Sequence, residues 1–209
     1  MIKAVIFDLD GTLADSEHIM DELYGGLFEE FGLSRPSEKE ILKVIAHGGR
    51  RIILELLPQE NKGDEELKRK MNARAAEISR SLIRKIRPMD GAAELLAELR
   101  KRGIKVVVAT NRGSTTRELL DFLDFSRHMD VVVTAVDVKN PKPHPEPLLK
   151  ALGQLGLKPE EALFVGDTNV DLQTGRAAGI KTMLLTKDNV SGQGVGSLRE
   201  IISLLERGW

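Results

Sequence analysis

The chain has 209 residues, enough for one sizeable core plus an inserted segment. Hydrophobic residues make up 41% and charged residues 30%, with a formal net charge of -1, so no general electrostatic pull draws it to nucleic acid or an anionic membrane. It has no cysteine, which excludes disulfides, thiolate nucleophiles and cysteine-ligated metals.

The first apolar run, Lys3-Ala4-Val5-Ile6-Phe7, reads as a buried strand. It is short and runs straight into acids, so it fits neither a secretory leader nor a membrane span; a cytoplasmic location without a membrane partner is expected. Asp8-Leu9-Asp10-Gly11-Thr12-Leu13 follows directly. Two carboxylates two residues apart suit a metal-assisted attack on phosphate, because open parallel sheets bind ligands beyond the carboxyl ends of their strands. Gly11 allows a sharp turn close to a ligand, and Thr12 adds a hydroxyl donor. The pair alone also fits a helix N-cap with first-turn charge. A calcium loop does not fit, because its glycine comes after a third oxygen ligand and Gly11 follows Asp10 at once.

Residues 15–87 read as an all-helical insertion. Ile19, Leu23, Leu27 and Phe31 recur at helical spacing after Asp15-Ser16. Ser37-Glu38-Lys39-Glu40 is a capping box ahead of Ile41 and Leu42. A third helix, Arg50-Leu57, stops at Pro58. Leu67, Met71, Ile78, Leu82 and Ile86 line one face of a longer fourth, ended by Pro88.

Strands and helices then alternate. Ala92-Leu99 is a helix and Lys105-Ala109 a strand, followed by Thr110-Asn111-Arg112-Gly113 and a helix at Ser114-Leu123. Val131-Val132-Val133 is a third strand; beyond it lies Lys142, inside Pro141-Lys142-Pro143-His144-Pro145, and a helix to Leu155. Ala162-Val165 is a fourth strand, followed by Gly166-Asp167-Thr168-Asn169-Val170-Asp171 and a helix stopped at Gly179. Thr182-Leu185 is a fifth strand, Ser191-Gly196 a flexible surface loop and Leu198-Leu205 the last helix. The expected fold is α/β: a Rossmann-like, five-stranded parallel sheet over residues 1–14 and 88–209, with residues 15–87 as a helical cap domain.

Parallel neighbouring strands would bring the polar strand ends together. Asp8 then suits nucleophilic attack on phosphorus, giving an aspartyl-phosphate. Asp10 suits protonation of the leaving oxygen and later activation of water. Asp167 with Asp8 would hold Mg²⁺, and Asp171, one helical turn on, would support the metal or its waters. Lys142 supplies a second cation, while Thr110 and the Asn111 N–H donate to phosphoryl oxygens. Each signal alone has a plainer reading: first-turn acids for Asp167 and Asp171, a solvated loop lysine for Lys142, a turn hydroxyl for Thr110. Their order and shared position at strand ends favour the chemistry.

On these motifs the chain resembles the haloacid dehalogenase-like hydrolases, and more closely their phosphoglycolate phosphatase and β-phosphoglucomutase group, over its whole length. Asp8-x-Asp10-Gly11-Thr12, Thr110-Asn111, Lys142-Pro143 and Gly166-Asp167-x-x-x-Asp171 match the family's four motifs in order. The resemblance implies that Asp8 is the nucleophile and Asp10 the acid/base. It also implies that Asp8, the Asp10 backbone oxygen and Asp167 bind Mg²⁺, with Asp171 assisting. Dehalogenases lack the second acid, which is present here as Asp10. The mutases usually carry valine where this chain has Thr12, and a cap histidine where it has Met20; His18 is two residues off and reads as surface. Both departures favour a phosphatase over a mutase, and intact motifs disfavour a non-catalytic binding protein. The cap should choose the substrate through His47-Gly48-Gly49-Arg50-Arg51, with Arg50 pairing to a carboxylate or second phosphate. Arg50 also reads as a solvent-exposed helix-start arginine. Arg112 is a second candidate substrate contact, and His144 reads as a loop residue. The expected substrate is a small phosphorylated metabolite, and the expected state a monomer or weak homodimer.

Overall fold

The computed structural model describes residues 1–186 and 194–206. Strand β1 (Ala4–Phe7) runs into the acidic loop, and β2 (Ala14–Asp15) leaves it. A helical stretch follows: a π-helical segment at Asp21–Gly25 continues into α1 (Gly26–Glu30), then come α2 (Glu38–Val44), α3 (Gly49–Leu56) and α4 (Glu65–Leu82). Strand β3 (Arg87–Pro88) returns antiparallel to β2, pairing Ala14 with Pro88 and Asp15 with Arg87. The two passages between sheet and helices thus run side by side. Then follow α5 (Ala92–Lys101), β4 (Lys105–Ala109), α6 (Thr116–Phe122), β5 (Val131–Val133), α7 (Glu146–Leu155), β6 (Ala162–Gly166), α8 (Asn169–Ala178), β7 (Lys181–Leu185), β8 (Gly194–Val195) and α9 (Leu198–Glu206).

The main sheet has six strands in the order β5-β4-β1-β6-β7-β8, all parallel. The fold class is the expected α/β one, with one strand more than the five expected. Gly194 and Val195, placed by sequence in a surface loop, pair with Leu184 and Leu185 as a parallel edge strand. Ser191, Gly192 and Gln193 of that loop lie outside the described residues. Strand β1 sits centrally, flanked by β4 and β6, so the loops after all three open on one edge.

The all-apolar strands follow from burial on both faces. Val5 and Phe7 pack with Leu95, Leu96, Leu99 and Ile201 on one face; Ala4 and Ile6 pack with Leu148, Ala151, Leu152 and Phe164 on the other. The core of the helical stretch is continuous with the first face through Ile19, Leu23, Leu27, Ile53 and Met71. Helix caps match their sequence signals. Ser37 and Glu40 form a reciprocal capping box on α2, and Thr168 and Asp171 form one on α8. Among the described residues, no helix is long and apolar enough to cross a membrane.

Candidate active site

The acidic loop is folded around Leu9. Its carbonyl accepts the N–H groups of Thr12, Leu13 and Ala14 at 3.3, 2.9 and 2.8 Å, so the chain doubles back at once. Gly11 makes that turn with φ +82°, and a Cβ there would collide with the Asp167 carboxylate. Only glycine permits both the left-handed backbone and this approach. Asp8 and Asp10 are thereby brought against the loops after β4 and β6.

Lys142 is the hub of the buried charge. It is 3% exposed, so it is not a solvated loop lysine. Its Nζ lies 2.9 Å from Asp8 Oδ1 and 2.6 Å from Asp171 Oδ1, above the Phe164 ring. Asp8 Oδ1 also accepts the Leu9 N–H at 2.7 Å. Asp171 Oδ2 accepts the Thr168 hydroxyl and N–H at 2.6 and 3.1 Å, so both its oxygens are occupied. Thr12, fully buried, donates to Asp167 Oδ1 at 3.0 Å.

These contacts set opposite electrostatic fates. Burial pushes the Asp8 carboxyl up to about 8, opposed by Lys142 and reinforced by Asp171 and Asp167. Burial likewise raises Asp167 to about 7, with Asp171 adding to it and Thr12 opposing. For Asp171 burial is outweighed by Lys142 and Thr168, which hold its carboxyl low. Burial would lower Lys142, but Asp171 and Asp8 hold it charged. Carboxylate oxygens of Asp8, Asp167 and Asp171 lie within 4.8 Å of one another. Among the described residues, none donates a hydrogen bond to Asp8 Oδ2 or Asp167 Oδ2. Two carboxylates that resist ionising, Asp8 buried and Asp167 half-buried, each with a spare oxygen, form a donor set suited to a hard divalent cation such as Mg²⁺. The Asp10 carboxylate is not in this cluster.

Asp10 is held differently. Its Oδ1 accepts Ser16 Oγ at 2.7 Å and Arg112 Nη1 at 2.6 Å. Arg112 was read as a substrate contact, but all three of its guanidinium nitrogens are engaged: Nε donates to Thr115 Oγ1 at 3.1 Å and Nη2 to Ser79 Oγ at 2.9 Å. Thr110 Oγ1 accepts the Arg112 N–H at 3.0 Å, which leaves its own hydrogen free to donate. The Asn111 side chain bridges Lys142, through N–H and carbonyl at 2.9 and 3.0 Å, and donates to the Ala46 carbonyl at 3.1 Å. It braces the Lys142 loop, and only its main-chain N–H remains for a ligand. Arg50 is exposed in the first turn of α3. His18 is half-exposed against the Lys85 carbonyl.

The structure thus brings together Asp8, Asp10, Gly11, Thr12, Thr110, Asn111, Arg112, Lys142, Asp167 and Asp171. Sequence reasoning missed Ser16 and Ser79, the other partners of the Asp10–Arg112 pair, and Tyr24, buried beside them.

The chain belongs to the haloacid dehalogenase-like hydrolases, whose family model matches residues 5–185. It is 32% identical to the N-acetylmuramic acid 6-phosphate phosphatase of Pseudomonas aeruginosa, over 99% of this chain and 96% of that one. It is 32% identical to the phosphoglycolate phosphatase of Aquifex aeolicus, over 88% and 84%. Among solved structures, a haloacid dehalogenase superfamily hydrolase from Geobacter sulfurreducens superposes with a TM-score of 0.79 at 34% identity, over 98% of this chain and 100% of that one.

Proposed function

We propose that this protein is a Mg²⁺-dependent phosphatase of small phosphorylated metabolites, working through an aspartyl-phosphate on Asp8. The observation that carries this reading is the Asp8 carboxylate, ion-paired to buried Lys142 at 2.9 Å and clustered with Asp167. Asp8 and Asp167 would hold Mg²⁺, which when bound supplies positive charge to the phosphoryl oxygens and the nucleophile. The chain's own residues do the rest. Asp8 bonds to phosphorus as the ester oxygen leaves, and Asp10 gives that oxygen its proton. Asp10 then takes a proton from water, which attacks the phosphorus; the aspartyl bond breaks and inorganic phosphate departs. Lys142, the Thr110 hydroxyl and the Asn111 N–H stabilise the charge that collects on the phosphoryl oxygens.

Residues 15–87 are proposed to act as a cap that selects the leaving group. The names of the two relatives describe phosphate esters of organic acids, and Arg50, exposed and without a side-chain partner among the described residues, suits a substrate carboxylate. A mutase is disfavoured because Met20, packed against the apolar core, offers no proton acceptor. Assays of p-nitrophenyl phosphate and a panel of phosphorylated metabolites test the reading. Phosphate release with Mg²⁺ that stops on adding EDTA is expected; no release from any substrate would refute it.

A further inference from the structure

We propose that Arg112 is a positioning residue that couples the orientation of Asp10 to the seating of the helical segment on the sheet domain. The proposal rests on the reading of Asp10 as proton donor. Arg112 stands at the junction of three chain regions. Its fork reaches Asp10 in the acidic loop, Thr115 at the start of α6 and Ser79 within α4, at 2.6, 3.1 and 2.9 Å. The Arg112 side chain is only 7% exposed. A planar guanidinium fixes the directions of its donors, so three acceptors at once determine where it lies.

The consequence falls on Asp10. Arg112 and Ser16 both bind Oδ1, and among the described residues no donor binds Oδ2. Tethering one oxygen fixes the carboxyl plane and leaves the other to carry the proton that is transferred. Asp10 is thereby oriented by an ion pair rather than by its short side chain alone.

Ser79 makes the tether conditional. It belongs to α4, in the helical segment, whereas Asp10 and Thr115 belong to the sheet domain. The Arg112–Ser79 bond exists only while the segment sits down. Two further contacts along the same seam have the same property. Asn111 reaches the Ala46 carbonyl, and Gly48 lies so close that a Cβ would sit 2.6 Å from the Asn111 carbonyl oxygen. Tyr24, also in the segment, is 5% exposed, and the charges of both Arg112 and Asp10 reach its hydroxyl. Lifting the segment removes the Ser79 acceptor and the Asn111–Ala46 bond together. The proton donor is held in place only when the leaving group has been enclosed.

The test compares kcat/KM for two substrates, because this constant reports events only up to loss of the leaving group. p-Nitrophenyl phosphate needs no proton on its leaving oxygen, whereas an alkyl phosphate does. Asp10→Asn is the reference and must lose far more on the alkyl ester; equal losses would remove the donor role and this proposal with it. Arg112→Lys keeps the charge but not the fork. It should cost about tenfold or more on the alkyl phosphate and under about threefold on p-nitrophenyl phosphate, a fraction of the full acid–base contribution. Ser79→Ala, a milder change that removes the Arg112 acceptor and the 3.3 Å contact with Thr115 Oγ1, should lose activity in the same selective sense by a smaller factor. A uniform loss on both substrates, or a rise in KM with kcat intact for Arg112→Lys, would overturn the proposal. So would a Ser79→Ala enzyme identical to the parent on both.

Discussion

The crevice at the strand ends and the seam beneath the helical segment are built by contrasting means. In the crevice, Lys142 and Asp171 are almost completely buried and every one of their charged atoms has a partner. Removing one member of such a network strands another charge out of water, so the group holds or fails as a unit. Along the seam the polar contacts are a few neutral or shared hydrogen bonds, Asn111 to Ala46 and Arg112 to Ser79, and the exposed Arg80–Glu118 pair, laid over a continuous apolar core. Such contacts are individually weak and can be remade. On the proposed function the contrast would divide the labour: a fixed charge cluster for phosphoryl chemistry, and a releasable joint for admitting substrate and letting product go.

Four substitutions sharpen or break that contrast, from the largest effect to the smallest. Lys142→Met leaves Asp8 and Asp171 buried without their cation. It should cost about 3–5 kcal/mol of stability in chemical denaturation, and lower kcat by about 10²–10³-fold in steady-state assays. A loss below tenfold would mean that the cluster is not the reacting centre. Asp10→Asn should lower kcat by about 10²–10⁴-fold while leaving the unfolding midpoint nearly unchanged, because an Asn Oδ1 can still accept from Ser16 and Arg112. Gly48→Ala attacks the seam. Gly48 has φ +84° and ψ 159°, a region essentially reserved for glycine. The strain, about 1–3 kcal/mol, should be relieved by unseating the segment. A lower kcat/KM and faster proteolysis within residues 30–65 are expected, and unchanged values of both would show that the seam is rigid.

The fourth substitution, Asp130→Asn, touches neither region. Burial would raise this carboxyl, but the Val106 N–H, Lys105 and Arg100 outweigh it and hold the carboxyl below its usual range. A folded-state value below the unfolded one adds stability above the unfolded value and loses it as pH falls through the folded one. The variant should therefore be less stable than the parent near neutrality, with the gap closing in acid below the ordinary aspartate value of 3.8. Denaturation midpoints across pH report this. Activity should be unaffected, because Asp130 precedes β5 and pairs at the amino end of β4, opposite the crevice.

The crevice could be read from sequence because its residues follow apolar runs at fixed positions. Val106-Val107-Val108 and Leu163-Phe164-Val165 announce buried strands, and the chain-end polarity after each announces the site. The edge strand β8 escaped because two residues, one of them glycine, carry no apolar run. The β2–β3 ribbon escaped for the same reason, its partners lying about 70 residues apart without any shared pattern. The π-helical turn at Asp21–Gly25 escaped because apolar spacing over one turn does not separate it from an α-helix. The seam left the least trace. Ser79 sits among charged residues of an amphipathic helix, and nothing local links it to Arg112, 33 positions on. Arg112 itself looked like a substrate ligand because a cation beside a phosphate motif has two possible partners, and sequence cannot tell an internal carboxylate from a bound anion.

The central claim is that Asp8 carries the phosphoryl group between substrate and water. Rapid acid quench during turnover, followed by mass spectrometry of the peptides, measures this directly. The account predicts one added phosphoryl group on the peptide containing Asp8, absent from Asp8→Asn and more persistent in Asp10→Asn. Turnover by Asp8→Asn at the parent rate, or a phosphoryl group on any other residue, would contradict it.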